Sequence, residues 1–118
     1  MNWRKYAKIM WMHGMKDPNG QEFMYCVSDP IDKGVFIILP HYNKSYKVKG
    51  YSLWFQNEQH ISSGGDNFGL KIKKCSSFEE GMRLAENIYD DFRAGVDIRT
   101  IGTQYFDADT MLEGPFMN

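Results

Sequence analysis

The chain has 118 residues, 42% hydrophobic and 15% aromatic, with a formal net charge of -1. That suits one packed core, so residues 1–118 are read as a single domain, and near-neutrality removes any chain-wide pull toward a polyanion. No apolar run approaches the roughly 20 residues a membrane helix needs, and the opening segment lacks the apolar stretch of a signal peptide, so a cytoplasmic protein with no membrane partner is expected.

The balance of charge hides an asymmetry. Residues 1–75 carry eleven Lys and Arg against six Asp and Glu, while residues 76–118 carry three against nine. The halves attract, either as self-complementarity within the fold or as one basic and one acidic docking surface.

From the N-terminus, residues 2–15 fit two patterns. "AKIMWMH" reads as a strand, while Trp3, Tyr6, Ala7 and Met10 also fit a helical face; the strand is preferred. "EFMYCVS", "GVFIILP", "YKVKGYSLWFQ" and "FGLKIKK" follow as strands rich in β-branched and aromatic residues. Asp17-Pro18-Asn19-Gly20 is a reverse-turn signal between the first two, because Pro18 fixes its own φ and Asn19 and Gly20 tolerate positive φ. "SDPIDKG" and "PHYNKS" supply the next links. "SSGGDN", residues 62–67, looks like an anion loop but leads into the alternating "FGLKIKK" rather than a helix N-terminus, so it reads as a hairpin tip.

"SSFEEGMRLAENIYDDFRAG" is the clearest element. Ser77 and Glu80 stand at capping-box spacing, and Phe78, Met82, Ala85, Tyr89 and Phe92 recur as one stripe before Gly95. An amphipathic helix over about 77–94 is expected to cover one face of the sheet, with Gly81 permitting close approach. The expected fold is therefore α+β: a single antiparallel sheet of four to five meandering strands, this helix, and an irregular C-terminal tail. "FMYCV" and "VFIIL" are apolar on both faces, so both faces need cover, the second from the tail "YFDADTMLEGPFM", a homodimer or another partner.

No catalytic frame emerges. Cys26 and Cys75 are too far apart for a CxxC pair and read as buried thiols, and His13, His41 and His60 lack metal-ligand spacing, so neither metal nor cofactor is expected. There is no nucleophile elbow or Walker loop, and an enzyme would have to assemble a site from scattered His41, His60, Asp66 or Cys75.

Two surfaces stand out instead. Lys44, Tyr46, Lys47, Lys49 and Tyr51, with Lys71 and Lys73 on the next strand, interleave cations and rings as single-strand nucleic-acid surfaces do. Lys49-Gly50-Tyr51 resembles the opening of the RNA-reading segment of RNA recognition motifs. The likeness stops there, because Leu53 and Gln56 stand where rings are needed and the spacing from "VFIIL" leaves no room for the intervening helix and strand. Glu79, Glu86, Asp90, Asp107 and Asp109 form the candidate acidic surface.

The leading expectation is a small non-enzymatic protein that binds or inhibits by occupying a protein partner, in the style of a phage or mobile-element accessory protein. A single-stranded nucleic-acid-binding module comes second and an unrecognised small enzyme third.

Overall fold

The computed structural model describes residues 2–6, 8–26, 34–56 and 70–105. Within them the chain is α+β. Strands β1 (Asn2–Tyr6), β2 (Ile9–Lys16), β3 (Glu22–Cys26), β4 (Val35–Tyr42), β5 (Val48–Gln56) and β6 (Leu70–Cys75) precede helices α1 (Phe78–Arg93) and α2 (Ile98–Tyr105). The strands form one sheet in chain order, each antiparallel to the next. No helix among the described residues is long and apolar enough to cross a membrane.

The strand count is corrected from four or five to six, because residues 2–16 make a hairpin of two strands, Asn2 opposite His13 and Tyr6 opposite Ile9. Nothing in "YAKI" signals a turn. The bend is held from outside: the Lys8 amide donates to Glu86 Oε1 of α1 at 2.9 Å, a partner 78 residues away. The helix count is also corrected, from one to two. Thr100, Gly102 and Thr103 are weak helix formers, so α2 depends on packing: Ile101 enters the core, and the Tyr105 hydroxyl donates to Asp91 Oδ2 of α1 at 2.5 Å. Burial, and then Asp91, push Tyr105 up to about 12. Residues 106–118 lie outside the described residues, and so do the expected hairpin tip 62–67 and the link over 27–33.

The Asp17–Gly20 turn forms as its residues dictate. Asp17 Oδ1 accepts from the Asn19 and Gln21 amides at 2.9 and 3.0 Å, and Gly20 adopts φ 82°. The β4–β5 connection repeats this design with Asn43, whose Oδ1 accepts from Ser45 and Lys47 at 2.8 and 3.1 Å. The place of Gly20 is there taken by Tyr46, at φ 60°, a left-handed conformation unusual for a ring-bearing residue.

Ser77 caps α1, accepting from the Glu80 amide at 3.1 Å. Glu80 completes only half a capping box: its carboxylate turns to the amide and hydroxyl of Ser76, which hold it below the usual carboxylate range. Met82 and Ala85 of the expected stripe are fully buried, Phe78, Tyr89 and Phe92 pack around them, and Ile88 joins the core as an addition. Each large apolar side chain buried on this face contributes about 1.5–3 kcal/mol. The helix lies close because Gly81 has no side chain: a Cβ there would sit 2.8 Å from Ile38 Cδ1.

The core is thus the space between α1, α2 and one face of the sheet. Met24, Ile38 and Leu53 stand directly opposite one another there, and Phe36 meets Phe55 edge to face at 5.9 Å. Cys26 and Cys75 are buried thiols, not a disulfide.

Candidate binding face

Side chains alternate along a strand, so the residues between the core positions point to the opposite face. The register lines up one row across all six strands: Trp3, Met12, Tyr25, Ile37, Trp54 and Lys71, each directly opposite the next. At about 4.8 Å per strand the row runs for roughly 24 Å. Five of its six members are apolar or aromatic. Among the described residues no helix packs on this face: Ile37 is 2% exposed, Met12, Tyr25 and Trp54 are half-buried, and Trp3 is 57% exposed.

Beside the row lies a cleft of about 510 Å³, lined chiefly by Met15, Phe23, Tyr25, Ile37, Leu39 and Pro40. Its volume falls in the range of ligand and anchor-residue sites. Lys16, Asp17 and Gln56 are its polar lining, and Asp17 accepts a short hydrogen bond from the Tyr42 hydroxyl. That bond lowers Asp17; burial first, and then Asp17, raise Tyr42.

The basic residues named from the sequence divide. Lys44, Tyr46 and Lys47 occupy the exposed β4–β5 turn, with Tyr46 75% exposed. Tyr51 lies on the helix face instead, its ring 4.5 Å from that of Phe78 and tilted, so it is not offered for stacking. Lys73 stands opposite Leu53, a core residue, and its charge acts on Glu80. The register places Lys71 and Lys74 on the helix-free face with His41, and Lys49 at a bulge beside the pair His41–Gly50. Burial, followed by Lys71, Lys74 and Lys49, holds His41 below its ordinary value, and its Nε2 is buried without a hydrogen-bond partner among the described residues.

The acidic candidates are largely engaged by the chain itself. Glu79 pairs with Arg4 at 3.0 Å, and Asp90 pairs with Lys8 at 2.6 Å, raising that lysine. Glu86 is a correction: it is 6% exposed and accepts from the Lys8 amide, so it is no part of an acidic surface. The charge asymmetry between the halves is therefore used, at least here, to seat the β1–β2 hairpin on α1. Asp107 and Asp109 lie outside the described residues.

Among the residues an enzyme would have used, Cys75 is in the core and His41 is on the other face, while His60 and Asp66 lie outside the described residues. No group of three or more potential metal ligands occurs among the described residues. The chain matches no protein family model, no curated protein and no solved structure.

The row Trp3–Met12–Tyr25–Ile37–Trp54 was missed as a surface in the sequence. Its trace there is the two-sided apolar character of "FMYCV" and "VFIIL", which shows that a second face exists but not which residues share it.

Proposed function

We propose that the protein is a non-enzymatic binding protein that acts by occupying a protein partner, which it engages through the helix-free face. The observation that carries this reading is the apolar cleft of about 510 Å³, continuous with a six-strand row that ends in an exposed tryptophan. A contiguous apolar surface with a polar, charged rim is the composition of a protein interface, in which buried aromatic anchors supply most of the energy. The inward packing of Tyr51 removes one ring from the alternative, a single-strand nucleic-acid surface.

The test is affinity capture from lysate, with and without nuclease, using the wild-type chain and the variant Trp3→Ser with Tyr25→Ser. A protein that survives nuclease and is lost with the variant is the expected result. Capture of nucleic acid alone would replace this reading with the nucleic-acid one.

A further inference from the structure

Two irregularities in the sheet decide which lysines face the partner. Between Leu53 and Trp54 the β5–β6 register slips, so that Leu53 faces Lys73 and Trp54 faces Lys71, leaving Ile72 as the extra residue of a bulge. Ile72 is fully buried in the core, Lys73 lies toward Glu80, and Lys71 and Lys74 fall on the helix-free face opposite Trp54 and Ser52. Unbroken alternation would have paired Lys71 with Lys73 instead. A second bulge between His41 and Tyr42 leaves Lys49 as the extra residue of β5, beside the pair His41–Gly50.

The result is a face on which Lys71 and Lys74 stand opposite Trp54 and Ser52, and on which the charges of Lys71, Lys74 and Lys49 act on the His41 imidazole. Arg4 and Lys8 are ion-paired to Glu79 and Asp90 of α1, and the charge of Lys73 acts on Glu80. Among the described residues, none of Lys49, Lys71 and Lys74 is ion-paired to a carboxylate. Like charges that share one face repel one another, and an anion seated between them relieves that repulsion.

We propose that Lys49, Lys71 and Lys74, beside His41, form an anion subsite that reads carboxylates on the partner, so that the segment bound is acidic and carries an apolar side chain beside them for Trp54. This rests on the reading of the helix-free face as a protein-binding surface. The geometry supports one bound segment, with apolar anchors along the row and in the cleft and acidic residues over β5 and β6.

Two synthetic peptides of equal length serve as probes, one alternating Phe and Glu, the other alternating Phe and Lys, with oligo-dT as a third. Binding is followed by the NMR signals of the Trp54 indole and the His41 ring, in the wild-type chain and in Lys71→Ala with Lys74→Ala. The Phe/Glu peptide is expected to shift both signals, to bind about tenfold more weakly to the double variant, and to weaken with salt, while the Phe/Lys peptide leaves both signals in place. Equal binding of the two peptides overturns the inference and leaves the docking reading standing, as does capture of a protein by the lysate test that ignores Lys71 and Lys74. Binding of neither peptide overturns the inference. Oligo-dT binding that needs both lysines assigns the subsite to nucleic acid and overturns it too, and so does self-association lost in the double variant, which makes a second copy the occupant.

Discussion

Replacing Gly81 by Ala tests how closely α1 lies on the sheet. In an open helix the change would stabilise by about 1 kcal/mol, the difference in intrinsic propensity. Here the new methyl meets Ile38 Cδ1 at 2.8 Å and Cγ1 at 3.2 Å. Ile38 is fully buried between Met24 and Leu53, so its side chain can give way only by displacing other core residues. Overpacking of this kind costs about 1–3 kcal/mol, which outweighs the propensity gain and leaves a net loss of about 1 kcal/mol. Ile38→Val removes the nearest atom and by itself costs about 1 kcal/mol. In that background Gly81→Ala should be neutral or mildly stabilising, so the two changes couple favourably by about 1 kcal/mol or more. Urea unfolding of the four chains measures this directly. Gly81→Ala raising the stability of the otherwise wild-type chain by its full propensity value would refute the docking of α1 on Ile38.

Three further outcomes follow from particular residues. Tyr46→Gly should raise stability by about 1 kcal/mol in thermal unfolding, because the β4–β5 turn repeats the Gly20 turn with a left-handed residue at that place; a loss would show that the Tyr46 ring packs in a way its exposure denies. Glu86→Ala leaves the partly buried Lys8 amide without its acceptor and should cost about 1 kcal/mol, whereas Glu86→Gln keeps an acceptor oxygen and should cost less; equal costs in urea unfolding would count against this bond. His41 is held below its ordinary value near 6.5, so its folded form resists protonation: stability should be full above about pH 6.5 and decline as pH falls through the lowered folded value, and His41→Gln should remove that part of the slope. A decline below pH 6.5 that survives His41→Gln would assign it to other groups.

Local chemistry explains what the sequence made legible. The Asp17 turn, the Ser77 cap and the stripe through Met82 and Ala85 each rest on residues within a few positions of one another, and each formed as read. The β1–β2 bend and α2 were missed because their determinants are distant or tertiary: Glu86 holds the Lys8 amide, and Ile101 and Tyr105 hold a segment of poor helix formers. The candidate site was hidden for a related reason. Alternation alone assigns Lys71 and Lys73 to one face, and only the bulge at Ile72, a packing decision of the core, exchanges Lys73 for Lys74. The apolar row likewise exists only through six-strand register, which places residues as far apart as Trp3 and Trp54 on one line.

The claim that the helix-free face is the binding surface is tested most directly by the affinity of the captured protein for two matched surface variants. One changes that face, Trp3→Ser with Lys71→Glu; the other changes the outer side of α1, Arg83→Ser with Asn87→Ser. Both pairs lie at the surface and should leave unfolding nearly unchanged. Loss of about tenfold or more in affinity for the first variant, with the second indistinguishable from wild type, is the outcome this account requires. Retained affinity in the first and loss in the second would place the partner on α1 and contradict it.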